Sequence, residues 1–209
     1  MRYACFNPTM VAVEDIPEDI FDKLKNLVRE AHTHDDLNDA GNPSISVRGG
    51  QQIQLLPNIF DLDVTDLKKY VEDCCNEYLE KIVQVTGLNE LYKYKPVLNS
   101  AWTIKQSKGH YQALHAHEAH ISGNIYIDVP DLDSDSEDSD SCLEFRLPTV
   151  KNVSRFIFTD SWRVKPEVAK MVVFPSHLPH TVYPWKGKGS RTVLAWDVVL
   201  VDKTLVTDI

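Results

Sequence analysis

The sequence predicts an α+β fold that is mainly β, with helices first and an antiparallel sandwich or barrel after them. Apolar residues recur at helical spacing through the first part of the chain. From Tyr94 onward, short apolar runs bounded by Pro, Gly, Asn and Asp follow one another, and no helix-length periodic segment interrupts them. At 209 residues the chain suits one compact domain, in which residues 1–93 form a helical support region and 94–209 a β core.

Pro17 sits where a first helical turn would start, and Ile20, Phe21, Leu24, Leu27 and Val28 place one apolar face behind it. The stretch His34–Pro43 is rich in Asp, Asn and Gly and reads as loop. A strand through Ser44–Val47 and Gln51–Leu56 follows, with Gly49-Gly50 as a turn or bulge. Val64, Leu67, Val71, Cys74, Tyr78, Leu79 and Ile82 then define the apolar face of a second helix that ends near Gly87. The strands expected beyond it are Leu98–Ile104, Ile121–Val129, Cys142–Leu147, Phe156–Phe158, Lys170–Phe174 and Arg191–Val201.

Composition narrows the function. The net charge is −9, but Asp131–Ser141 (DLDSDSEDSDS) holds five Asp and one Glu, so the rest carries only −3. With no basic stripe, nucleic acid is not an expected partner. The acidic run lies between two expected strands and lacks the turn glycine of a calcium loop, since Asp138 stands there. It reads as a solvated surface loop. No apolar run approaches the roughly 20 residues that span a bilayer, and the opening MRYACFNPTM lacks the apolar centre of a signal peptide. The expectation is a soluble, cytoplasmic protein with no membrane partner. Cys5, Cys74, Cys75 and Cys142 have neither zinc-ribbon spacing nor disulfide-scaffold density, and Cys74 and Cys75 read as reduced helix thiols.

Six of the eight histidines fall in two clusters. One is His110-Tyr-Gln-Ala-Leu-His115-Ala-His117-Glu-Ala-His120, ahead of an expected strand; the other is His177-Leu-Pro-His180, at the exit of one. Histidines two apart at a strand end project to the same face, so His115 and His117 can converge on one ion. A third ligand from a distant strand would complete a facial set with open positions.

The segment Phe174-Pro-Ser-His-Leu-Pro-His180-Thr-Val-Tyr-Pro-Trp, followed by Arg191-Thr-Val-Leu-Ala-Trp196, resembles the Fe(II)/2-oxoglutarate-dependent oxygenase superfamily. It looks closest to the prolyl-hydroxylase-like branch and to related oxygenases of bacteria and their phages. Trp102, His115-Ala-His117 and Ser122-Gly123-Asn-Ile-Tyr126-Ile continue the likeness upstream, so that it covers roughly Leu98–Val201. The resemblance implies a double-stranded β-helix (jelly-roll) core with N-terminal helices packed on it. It implies Fe(II) held by His115, His117 and His180, with 2-oxoglutarate as co-substrate. Arg191, eleven residues after His180, would pair with the far carboxylate, where a planar fork suits better than a lysine. Tyr126 and Asn124, on the face alternating with Ile125, would line the co-substrate pocket. His110, His120 and His177 would stand in a supporting shell.

The implied activity is a dioxygenase that decarboxylates 2-oxoglutarate to succinate and hydroxylates a prime substrate that the sequence does not identify, a protein or peptide, with a prolyl residue as the leading expectation, or a small molecule. Its partners are 2-oxoglutarate, dioxygen and that prime substrate. One departure stands out, because the superfamily has His-x-Asp or His-x-Glu where this chain has His117. Two other readings therefore stay open: a three-histidine dioxygenase that does not use 2-oxoglutarate, and a non-enzymatic jelly-roll binding or structural protein with a vestigial metal site.

Overall fold

The computed structural model describes residues 9–33, 47–57, 61–147 and 161–205. The expected strand Phe156–Phe158, the loop His34–Pro43 and residues 44–46 of the expected strand lie outside the described residues.

After strand β1 (Ala12–Asp15), helix α1 (Glu18–Ala31) begins directly behind Pro17, whose fixed φ suits a helix entry. Glu18 and Asp19 place negative charge at the positive end of the helix dipole. Phe21, Leu24, Leu27, Val28 and Ala31 form its buried face. Strands β2 (Val47–Arg48) and β3 (Gln51–Leu56) lead to helix α2 (Thr65–Thr86). That helix stops at Gly87, whose φ of 74° is left-handed and open to glycine at little cost. Its buried face is Leu67, Val71, Cys75, Tyr78, Leu79 and Val83. Cys75 and Val83 thus take the inward positions expected of Cys74 and Ile82, both of which are only partly buried. The i+4 steps from Leu67 through Val71 carry on to position 75 and not 74.

A 3₁₀ turn over Asn89–Lys93 feeds the strands β4 (Tyr94–Ser107), β5 (Tyr111–His115), β6 (Ile121–Asp128), β7 (Asp131–Leu132), β8 (Leu143–Arg146), β9 (Ser161–Val164), β10 (Lys170–Pro175), β11 (His180–Val182), β12 (Gly187–Lys188) and β13 (Ser190–Asp202). They pair in antiparallel fashion into a six-stranded sheet, β1-β10-β6-β13-β4-β3, and a five-stranded sheet, β2-β5-β11-β8-β9. A third, two-stranded ribbon joins β12 to β7. This mainly β arrangement with two helices is the double-stranded β-helix that the resemblance implies. The N-terminal region supplies strands as well as helices, since β1 and β3 are the edges of the larger sheet.

Side-chain alternation divides the core in two. Ile125, Leu194, Trp196 and Val198 turn outward from the larger sheet and pack with Leu24, Val28, Leu67 and Val71 of the helices. Ile104, Tyr126, Phe145, Val172, Phe174 and Val193 fill the second cluster, between the sheets. The helices therefore seal one face of the large sheet and leave the other to form a pocket with the smaller sheet. Gly123 makes the seal possible, because a Cβ there would stand 2.2 Å from the Trp196 ring and 2.6 Å from the Val172 carbonyl.

No helix is long and apolar enough to cross a membrane among the described residues.

Candidate metal centre and co-substrate pocket

Between the sheets lies a cavity of about 870 Å³, lined among others by Trp102, His115, His117, Asn124, Tyr126, His180 and Arg191. A volume of that size falls in the usual range for small-molecule sites.

His180 opens β11 and stands directly opposite His115, the last residue of β5. His117 lies two residues past the end of β5, where its backbone N–H donates to the Ser176 carbonyl at 2.9 Å. Their ligand-bearing atoms all fall within 4.8 Å of one another, which is close enough to share one ion. The ring centroids are 4.3 Å apart for His115 and His180, 5.2 Å for His115 and His117, and 5.1 Å for His117 and His180.

Hydrogen bonds fix which nitrogen is free. Nδ1 of His115 meets the Ala113 carbonyl at 2.7 Å, Nδ1 of His180 the Leu178 carbonyl at 2.9 Å, and Nδ1 of His117 the Asp197 carboxylate at 2.7 Å. Each acceptor draws the proton to Nδ1 and leaves the Nε2 lone pair for an ion. Burial, with the other imidazoles close by, disfavours protonation: the His115 pKa is lowered and that of His180 falls to about 3. Both rings are therefore neutral at physiological pH, as a metal ligand must be. Phe174 stacks edge-on against His180 with centroids 4.8 Å apart and holds its ring in place.

Arg191 enters the pocket from the start of β13. It is 2 % exposed, and among the described residues no carboxylate lies within ion-pair distance of it. Its guanidinium donates to the Ser141 carbonyl at 3.1 Å, to the Tyr183 carbonyl at 3.5 Å and to the Gln106 side-chain oxygen. Trp185 lies against it at 5.1 Å. Burial lowers its pKa to about 10, which still leaves it fully charged at neutral pH. A buried cation with only neutral partners is costly and calls for an anion. Tyr126 is close by; its buried hydroxyl has no hydrogen-bond partner among the described residues, and burial pushes its pKa up to about 12 against the opposing influence of Asn124 and Arg191. An orphaned hydroxyl beside an unneutralised guanidinium fits a carboxylate-bearing ligand.

His115, His117, His180, Arg191, Tyr126 and Asn124 thus all line one cavity. The other three histidines of the two clusters do not. His110 accepts from the Ser107 N–H in the β4–β5 turn, His120 accepts from the Leu200 N–H, and neither these nor His177 lines the pocket. Asp197, which lines the pocket, and Gln106, which is buried against Arg191, are residues that spacing alone missed. The signal was parity: Arg191, Val193, Ala195 and Asp197 share one face of β13, and Gln106 is the register partner of Arg191. Glu144, just beyond the acidic run, is fully buried and paired with Arg146 and Arg163.

Residues 100–197 match the family model described as "Putative 2OG-Fe(II) oxygenase", a stretch that holds the three histidines and Arg191. Over that stretch, a little under half of the chain, the sequence is similar to this family of oxygenases. No curated protein matches the sequence. Among solved structures, the fold is similar to a Pseudomonas putida prolyl-4-hydroxylase, at 18 % identity over 90 % of this chain and 92 % of that one, with a TM-score of 0.55. It is also similar to a Trichoplax adhaerens prolyl hydroxylase in complex with a hypoxia inducible factor oxygen degradation domain peptide fragment (13 % identity, 95 % and 87 % of the two chains, TM-score 0.56). A third likeness is to HygX from Streptomyces hygroscopicus with nickel and 2-oxoglutarate bound (12 %, 91 % and 83 %, 0.51). At these identities the likeness is one of fold.

Proposed function

We propose that this chain hydroxylates a C–H bond of a polypeptide segment, using Fe(II) held by His115, His117 and His180 and 2-oxoglutarate anchored by Arg191. The observation that carries this reading is the buried Arg191 guanidinium, which has no carboxylate partner among the described residues and shares one cavity with three converging imidazoles. The three histidines alone would equally suit a metal dioxygenase without 2-oxoglutarate. Arg191 turns the reading, because such an enzyme has no use for a buried counter-cation in its pocket.

Iron and 2-oxoglutarate would supply the oxidising chemistry: dioxygen provides one oxygen atom to succinate and one to the hydroxyl product, with release of carbon dioxide. The chain's own residues bind, orient and exclude water. Arg191 and Tyr126 would fix the far carboxylate by charge-assisted hydrogen bonds, and Asn124 would flank it. Val193, Phe174 and Val182 keep the walls between the sheets apolar. Toward the open side, Gln52, Gln54, Trp102 and Leu114 line the cleft. Amide side chains beside an indole suit an extended peptide, and the likeness to a prolyl hydroxylase in complex with a peptide fragment favours a prolyl residue as target.

The test is to load anaerobically purified protein with Fe(II), add oxygen and 2-oxoglutarate, and assay succinate with and without proline-containing peptides. Succinate that depends on iron, and rises with a peptide substrate, supports the reading. Its absence throughout, with no 2-oxoglutarate binding, counts against it.

A further inference from the structure

The three-histidine set carries one negative charge fewer than a set that includes a carboxylate ligand. We propose that Asp197 is a positioning residue that returns this charge to the metal centre through the ring of His117. The inference rests on the reading of His115, His117 and His180 as ligands.

The hydrogen bonds behind the three rings are not alike. His115 and His180 turn Nδ1 to backbone carbonyls, whereas His117 turns Nδ1 to a carboxylate oxygen at 2.7 Å. Asp197 is 15 % exposed at its side chain, and among the described residues its only ion-pair partner is His117. No lysine or arginine competes for its charge there. A carboxylate that accepts the Nδ1–H of a ligating imidazole makes the opposite nitrogen more basic and holds the ring's orientation.

The carboxylate is itself held. The Ser122 hydroxyl donates to the same Asp197 oxygen at 2.5 Å and lies 2.8 Å from the Ser176 hydroxyl. Ser122 and Asp197 are register partners on β6 and β13, and the Ser176 carbonyl receives the His117 N–H. Both serines are fully buried. Side chains from two adjacent strands, β6 and β13, and from the turn after β10 therefore fix one oxygen behind one imidazole. His117 lies beyond the regular part of β5, so these contacts are what a residue outside a ladder needs to keep its aim. The strand pairing brings this about: Asp197 shares its face of β13 with Arg191, about 20 Å away along an extended strand.

The experiment measures Fe(II) affinity by anaerobic competition with a chromophoric chelator, and the midpoint potential of the bound iron, in Asp197→Asn, Asp197→Ala, His117→Ala and His180→Ala. Asparagine keeps an oxygen acceptor and loses the charge. Both Asp197 variants are expected to bind Fe(II) about 10- to 100-fold more weakly. The potential in Asp197→Asn is expected to rise, a shift that a purely structural role would not produce. If Asp197→Asn binds Fe(II) with wild-type affinity and potential while His180→Ala does not bind, the inference about Asp197 is overturned and the ligand set survives. Wild-type affinity in His180→Ala would instead overturn the ligand set itself. Metal retained in His117→Ala but lost in Asp197→Ala would make Asp197 a direct ligand, which also overturns the inference. Should the Asp197 variants not fold, Ser122→Ala removes the second hydrogen bond to the same oxygen. It is expected to weaken Fe(II) binding a few-fold, and wild-type affinity there would contradict the proposal.

Discussion

In the proposed function Arg191 and the histidines divide the pocket's work between an anion and a cation, and single substitutions should separate them. Arg191→Ala should weaken 2-oxoglutarate binding by at least 10-fold in a calorimetric titration while Fe(II) affinity stays within about twofold of wild type, since among the described residues its guanidinium lies against the Trp185 ring and donates to Ser141, Tyr183 and Gln106 and to none of the three histidines. Arg191→Lys should restore little of the loss, because an ammonium cannot present a planar fork. Loss of metal in Arg191→Ala would show that the arginine is part of the metal site. The buried histidine adds a pH dependence. The folded pKa of His180 is about 3, against 6.5 for an exposed ring, so between those values the unfolded chain binds a proton that the native chain does not. The stability contributed by this site is complete above about pH 6.5 and falls as the pH drops toward 3. Thermal midpoints of the metal-free protein should decline over that window, and His180→Asn should flatten the decline. An equally steep decline in the variant would assign the effect to other groups. That His115 and His117 face one cavity was legible from spacing, because two-apart histidines share a face, whereas His180 and Arg191 were placed beside them by the family resemblance. Asp197 and Gln106 were not legible, since their roles follow from strand register, which a single sequence does not encode locally.

At the scale of elements, β13 and α2 do most to place the site. β13 pairs with β6 on one side and β4 on the other; it turns Leu194, Trp196 and Val198 toward the helices, and Arg191, Val193, Ala195 and Asp197 toward the pocket. Gly123 on β6 lets Trp196 lie flat against the strand. Gly123→Ala should destabilise the fold by about 1–3 kcal/mol, since neither the indole nor the Val172 carbonyl can retreat cheaply. An unchanged thermal midpoint would show that the sheet relaxes. Leu67→Ala, at a fully buried position where α2 meets the sheet, should cost about 2–5 kcal/mol by denaturant titration. A loss below about 1 kcal/mol would mean that the helix is only loosely docked. Both helices were legible from apolar periodicity, and Gly87 marked the end of α2 to the residue. The inward face was displaced by one at Cys74/Cys75, because adjacent apolar residues leave the rotation of a helix open until a partner surface selects it. Strands β4, β6, β8, β10 and β13 were legible from their apolar runs. β1, at the edge of the large sheet, was not, since its pattern of three exposed residues in four carries little alternation.

The whole molecule is one large sheet with helices sealing its outer face and a smaller sheet across its inner face, so that the open cleft lies between sheets and away from the helices. The fold was legible because a jelly roll places strand ends together at one mouth, and the residue order His115, His117, His180, Arg191 is how that mouth appears in one dimension. The acidic run was legible as a loop but not as a wall. Its last residue, Ser141, offers a carbonyl to Arg191 and so helps hold the guanidinium in place. The most direct test of the central claim is an equilibrium titration of 2-oxoglutarate into anaerobic protein, with and without Fe(II), in wild type and in His180→Ala. Saturable one-to-one binding that tightens at least 10-fold with Fe(II), and loses that gain in His180→Ala, is the result predicted. Binding indifferent to both Fe(II) and His180, or no binding to the iron-loaded protein, would contradict the assignment of this pocket to iron and 2-oxoglutarate.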